Sequence, residues 1–105
     1  MSGKPSTANL KALMKAIIAH GKTGNMRAVV QTLNEIEKDT KHHKSDFEIQ
    51  LILAETYRHA LEPFGVAKKY KDSEQMIVKI ETILKARSNS EDLQEIYSEA
   101  LNALV

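Results

Sequence analysis

The 105-residue chain contains no cysteine. Disulfide bonds, thiolate nucleophiles and cysteine-based zinc sites are therefore excluded, and the sequence is compatible with a reducing compartment. No segment approaches the ~20 apolar residues that a membrane-spanning helix needs, and the amino-terminal MSGKPSTANLK lacks the apolar region of a signal peptide. These absences predict a cytoplasmic protein that does not associate with a membrane.

Strand-like alternation of apolar and polar residues is also missing, so we expect no β-sheet. Hydrophobic residues make up 42% of the chain and charged residues 28%, which indicates a globular domain rather than a disordered segment. Five segments repeat apolar residues at helical spacing. The sequence thus predicts a single all-α domain over residues 6–105, with about five helices in antiparallel hairpins, behind a flexible tail at residues 1–5.

The longest apolar helical run is SDFEIQLILAETYRHAL, from Ser45 to Leu61. Ser45 and Glu48 have the spacing of a capping box, which favours a helix start at this point. The run is apolar over about half of its circumference, more than the single stripe of a surface helix. We therefore expect a central helix with neighbours on two sides. Pro63 disfavours helical backbone in the residue before it, so this helix is predicted to end at Glu62.

Four further amphipathic segments surround the central one, and each is bounded by residues that favour helix ends. The expected caps are Ser6 or Thr7 for the first helix, Asn25 for the second, Asp72 for the fourth and Ser88 for the fifth. Gly21 is expected to end the first helix in the left-handed conformation. The apolar stripe of the last helix is predicted to extend to Leu104.

The segment ALMKAIIAHGKTGNMRAVVQTLNEIEKD, a helix, a G-x-x-G-N turn and a second helix, resembles a tetratricopeptide or pentatricopeptide repeat unit. In LAETYRHAL, the residues Leu53, Ala54 and Tyr57 fall where the tetratricopeptide family places large, small and aromatic side chains. The resemblance implies a short array of stacked hairpins, as an alternative to a compact bundle. The pentatricopeptide version implies RNA reading, but its reading position falls at Met14 or Lys15, neither an amide nor a hydroxyl.

The charge is unevenly distributed, although the net charge is only +1. The segment 1–34 has five basic residues and no acidic one, whereas the segment 88–105 has four acidic residues and no basic one. Such asymmetry indicates either an interaction surface or attraction between the two ends across the fold.

Two groups of residues carry side chains of the types found in metal or catalytic sites. His42 and His43 are adjacent, but flanking lysines repel a cation, so a solvated loop is expected rather than a metal site. Glu55 and His59 are four residues apart on one helix and have the spacing of a general-base pair. No nucleophile motif or glycine-rich phosphate loop accompanies them. We expect no enzyme activity, no metal and no cofactor.

The segment Pro63–Lys71 is the longest predicted connection and has no clean helical period. It carries the apolar residues Phe64, Val66 and Tyr70, which are candidate anchors for a partner. Lys68, Lys69 and Lys71 surround them, and the alternative is that Phe64 and Val66 close the end of the core. A second lysine pair, Lys11 and Lys15, lies on the polar face of the first helix.

Together these features predict a non-catalytic protein–protein interaction module or a small adaptor subunit. Helical hairpins expose grooves that take a peptide or a partner helix, so the expected partner is another protein or a protein complex. The alternative is a nucleic-acid-associated protein whose lysine patches contact phosphates while Tyr70 stacks on a base. The sequence alone does not indicate whether the chain is a monomer or an oligomer.

Overall fold

The computed structural model describes residues 4–103. They form five helices and no strand: α1 (Thr7–Lys22), α2 (Met26–Thr40), α3 (Phe47–Val66), α4 (Tyr70–Ala86) and α5 (Glu91–Ala103). The prediction of an all-α fold with about five helices is confirmed. The predicted stripe position Leu104 and residues 1–3 of the expected tail lie outside the described residues. Lys4, within that tail, lies 3.0 Å from Asp46 and 3.4 Å from Glu48, so it contacts the start of α3.

The helices form two layers, and α3 contacts all four of the others. α1 packs with α2 and α3, while α4 packs with α3 and α5. Among the described residues, the backbones of α1 and α5 do not approach each other, nor do those of α2 and α4, although the Glu37 side chain of α2 pairs with Lys79 of α4. The molecule measures 36 × 30 × 19 Å, and its smallest dimension fits two packed helices. α1, α3 and α5 therefore form one layer, and α2 and α4 form the other.

The core draws on all five helices, and α3 supplies its centre. Leu53 is 3% exposed, as its place on the central helix predicts. Burial of apolar side chains away from water is the main contribution to the stability of a small helical domain. The buried apolar residues of α3 are Ile49, Ile52, Leu53, Ala54, Tyr57, Ala60, Leu61 and Phe64.

The helix caps agree with the sequence in two cases and differ in three. Ser6 and Asn25 cap α1 and α2 as predicted. The caps of α3 and α5 are Asp46 and Ser90, one and two residues after the predicted ones, and each accepts a hydrogen bond from a backbone amide. α4 starts at Tyr70 instead of near Asp72, and no side chain caps it.

Glu48 has a different role from the predicted capping box. It accepts a hydrogen bond of 2.6 Å from the hydroxyl of Thr7 and pairs with Lys4, so it joins α3 to the start of α1. Because the Thr7 hydroxyl and the Lys4 ammonium both favour the carboxylate, they hold the pKa of Glu48 below its usual value. The predicted pairing of Ser45 with Glu48 was therefore wrong, since Glu48 reaches a distant segment.

The prediction that α3 ends at Glu62 was wrong, because the helix continues through Pro63 to Val66. Pro63 is buried, and its neighbour Phe64 is only 3% exposed. This last turn gives up one backbone hydrogen bond at the proline, but it places the Phe64 ring in the core. Phe64 is thus not an exposed anchor, and the alternative that it closes the end of the core is the correct one.

Both hairpin turns end their first helix with the same backbone motif. After α1, the amide of Asn25 donates to His20 and the amide of Gly24 donates to Gly21. After α3, the amides of Lys69 and Lys68 make the equivalent bonds to Phe64 and Gly65. These are the paired bonds of a Schellman motif, which needs one left-handed residue.

The left-handed residues in these two motifs are Gly24, with a φ of 75°, and Lys68, with a φ of 61°. The predicted left-handed role of Gly21 was therefore wrong, since Gly21 is helical and lies inside α1. Gly24 fits this conformation without strain, whereas Lys68 places a Cβ where glycine is preferred.

Candidate protein-binding site

The α3–α4 turn exposes two apolar side chains next to three lysines. We call this set the turn surface: Val66, Lys68, Lys69, Tyr70 and Lys71. Val66 is 79% exposed and Tyr70 is 62% exposed, the highest values among the large exposed hydrophobic residues of the part described. Phe64 and Val66 are two positions apart on the last turn of α3, so they point in different directions, one inward and one outward. The structure thus confirms the exposure of Val66 and Tyr70 but not that of Phe64.

The charge of the turn surface is positive and unneutralised. Lys68, Lys69 and Lys71 are exposed, and none of them forms an ion pair with another residue in the range 4–103. The amino terminus of α4 begins at the same point, and its free backbone amides add partial positive charge. Such a site favours contact with carboxylates or phosphates.

A shallow groove continues from the turn surface onto α1. Its lining includes Ile18 and Lys22 from α1, and His59, Glu62 and Val66 from α3. Lys22 of α1 and Val66 of the turn surface thus line the same groove. Lys11 and Lys15 are exposed on earlier turns of α1 and do not line this groove. The structure therefore separates Lys11 and Lys15 from the turn surface.

Glu55 and His59 approach each other on α3, but the Arg58 guanidinium contacts both of them. The Nη2 of Arg58 donates to Glu55 at 2.8 Å and lies 3.3 Å from the Nε2 of His59. The Nε of Arg58 is 3.2 Å from Glu99 of α5, in a geometry that makes an ion pair but no hydrogen bond. Burial, and then the Arg58 charge, lower the pKa of His59. The arrangement is a salt-bridged link between α3 and α5.

A cleft between α2 and α4 was not predicted from the sequence. It has a volume of about 320 Å³, and Leu53 and Tyr57 of α3 lie at its base. Glu37 of α2 pairs with Lys79 of α4 at 2.7 Å and accepts a hydrogen bond of 2.8 Å from the Tyr57 hydroxyl. Burial and the Glu37 carboxylate raise the pKa of Tyr57. Since the partners lie 20 and 42 residues apart, no local spacing could have indicated this network.

Two further observations bear on the chemistry available to this chain. In residues 4–103, no three His, Asp or Glu side chains are arranged to hold a metal ion. His42 is exposed and His43 is half-buried in the linker between α2 and α3. None of the helices described is both long enough and apolar enough to cross a membrane.

Comparison of the chain with protein-family models, with curated proteins and with solved structures gives no match.

Proposed function

We propose that this chain is a non-catalytic protein-binding module, and that the turn surface takes an acidic, partly apolar segment of a partner protein. The observation that carries the proposal is the exposure of Val66 and Tyr70 on an ordered turn. Folding leaves both side chains in water, although Phe64 on the same turn is fully covered. Such side chains favour association when a partner removes them from solvent.

The lysines give this surface its preference for a partner. Lys68, Lys69 and Lys71 carry charge that no residue of the described part neutralises. Positive groups around an apolar centre attract an acidic partner, increase the association rate and contribute less to the lifetime of the complex. The paired backbone hydrogen bonds of the turn hold its backbone in one conformation, which lowers the entropy cost of binding.

The experiment compares a variant of the anchors with a matched variant elsewhere. The partner is first captured from a lysate with the tagged chain, identified and purified. We expect the double variant Val66→Ala/Tyr70→Ala to weaken its binding by about 1–4 kcal/mol without lowering the thermal unfolding midpoint. The control is Val30→Ala/Val78→Ala, since these residues are 38% and 49% exposed on α2 and α4. Equal loss of affinity in both variants would show that the turn surface is not the specific binding site.

A second candidate function is nucleic-acid binding, which is favoured by the position of Tyr70 among Lys68, Lys69 and Lys71. An exposed tyrosine stacks on unpaired bases while lysines contact the phosphates. Titration with a random-sequence RNA or DNA oligomer tests it, because phosphate contacts make the affinity fall steeply with salt. We expect no binding tighter than tens of micromolar near physiological salt. Tight binding that is lost in Lys68→Glu/Lys69→Glu/Lys71→Glu would make this function the better one.

A further inference from the structure

Within residues 4–103, no other helix covers the outer face of the α1–α3–α5 layer. α2 and α4 pack on the other side of this layer, so the outward residues of α3 remain accessible. Glu55, His59 and Glu62 lie on this face of α3, with the α1 groove on one side and an α5 groove on the other. The two larger extents of the molecule are 36 and 30 Å. A broad side of a molecule of this size has room for the ~800 Å² that each partner contributes to a standard protein interface.

Opposite charges lie along the two edges of this face. On α1, Lys11, Lys15 and Lys22 are exposed at helical spacing, and none of them forms an ion pair in the described range. α1 contains no acidic residue. On α5 the exposed residues Glu91, Asp92, Glu95 and Glu99 form an acidic edge without a lysine or arginine. We call these the basic edge and the acidic edge.

The two edges do not neutralise each other within one molecule. α3 separates α1 from α5, and the two helices make no contact among the described residues. The expectation that the chain ends attract each other across the fold is therefore not met by direct contact. Of the acidic edge, Glu99 alone has an ion-pair partner in residues 4–103, the Arg58 guanidinium. The basic edge and most of the acidic edge are available to another molecule.

We propose that the outer face of the α1–α3–α5 layer is the interface of a two-fold dimer of this chain. A two-fold rotation about an axis parallel to α3 places the basic edge of each copy against the acidic edge of the other. The contact between a basic edge and an acidic edge thus occurs twice in the dimer, as a closed two-fold interface requires. Apolar side chains at the base of the grooves contribute contact area: Ile18 beside α1, and Leu51 and Ile96 beside α5.

Salt and charge reversal test this dimer. Sedimentation equilibrium at low salt is expected to give a mass that rises from 11.8 kDa toward twice that value with concentration, and to return to the monomer at ~0.5 M salt. Lys11→Glu/Lys15→Glu, or Glu91→Lys/Glu95→Lys, is expected to weaken the dimer by about 10-fold or more, since each puts like charges in contact. Lys38→Glu/Lys85→Glu changes the charge equally on α2 and α4 and is expected to leave the dimer intact.

Mixing the two charge-reversal variants gives the sharpest outcome. In each variant alone, the two reversed residues face charges of their own sign on the other copy, whereas in an equimolar mixture they face charges of the opposite sign, so dimers of mixed composition are expected to form. This recovery also shows that both variants are folded. A monomer at every concentration, a dimer indifferent to both reversals, or masses that grow beyond the dimer would each overturn the proposal. The variants change no residue of the turn surface, although Val66 also lines the α1 groove, so partner binding measured on the same variants distinguishes a failure of the dimer from a failure of the proposed function.

Discussion

Gly21 of α1 lies directly against Pro63 of α3. A Cβ added at Gly21 would come within 3.1 Å of both the Cβ and the Cγ of Pro63, which is closer than ordinary van der Waals contact. The absence of a side chain at Gly21 therefore lets the proline ring lie inside the packed end of α3. This contact helps explain why the helix passes through Pro63 and carries Phe64 into the core.

The Gly21–Pro63 contact predicts a strong coupling between two substitutions. Gly21→Ala is expected to destabilise the protein by about 1–3 kcal/mol, because the rigid ring cannot easily yield to the added methyl group. In a Pro63→Ala background the same change is expected to be neutral or stabilising, because alanine favours a helix over glycine. Urea unfolding of the four proteins in a double-mutant cycle measures the coupling. An identical effect of Gly21→Ala in both backgrounds would show that the contact has no energetic role.

The two Schellman motifs predict that Lys68 makes the protein less stable than glycine would at this left-handed position. Lys68→Gly is expected to stabilise the protein by about 1 kcal/mol, since glycine takes the left-handed conformation without a Cβ clash. The matched change Gly24→Lys in the first hairpin is expected to destabilise by a similar amount. Thermal and urea unfolding of both variants check this pair. A loss of stability in Lys68→Gly would mean that the lysine side chain makes a contact worth more than the strain.

Phe64 and Tyr70 are expected to respond differently to truncation. Phe64→Ala removes a buried ring, so we expect a loss of about 3–5 kcal/mol in the free energy of unfolding. Tyr70→Ala removes an exposed ring and is expected to change it by about 0.5 kcal/mol or less. Denaturant unfolding with circular dichroism distinguishes them. Comparable losses for the two variants would place Tyr70 in the core and leave Val66 alone at the centre of the turn surface.

The lowered pKa of His59 predicts a loss of stability in mild acid. Because the folded protein holds this pKa below the unfolded value of 6.5, the unfolded chain takes up the proton first. Stability is then fully present above pH 6.5 and is lost as the pH falls through the folded pKa. Melting temperatures between about pH 7.5 and pH 5.5 are expected to decline less in His59→Gln than in the wild type. His42→Gln, at an exposed position, is the control and is expected to keep the wild-type slope.

The five helices were predictable because their signals are local. Apolar residues that face the core recur every three or four positions, so the stripes of α1, α2 and α5 are visible in the sequence itself. Cap positions were less certain, since Ser45 and Asp46 both offer a side-chain oxygen at the start of α3. The extension of α3 was missed for a different reason. Pro63 ends a helix by local rules, and the space at Gly21 that accommodates it is created only by folding.

The candidate site was predictable only in part. The composition of the segment 63–71 pointed to the turn surface, because Phe64, Val66 and Tyr70 stand among three lysines. The predicted long connection was wrong, since only residues 67–69 separate α3 from α4. The inward direction of Phe64 depends on one more helical turn, which the sequence did not indicate. The cleft bridged by Glu37 and Lys79, and the separation of α1 from α5, arise from packing between distant segments. Neither leaves a pattern in any single stretch of the chain.

The most direct test of the account is capture from a cell lysate with and without nuclease, using the wild type and Val66→Ala/Tyr70→Ala in parallel. We expect a protein that is retained by the wild type after nuclease treatment and is lost from the double variant. The proposed function would be contradicted if the captured protein disappears with nuclease, which would indicate nucleic acid as the true ligand. It would equally be contradicted if the double variant retains the protein at the wild-type level.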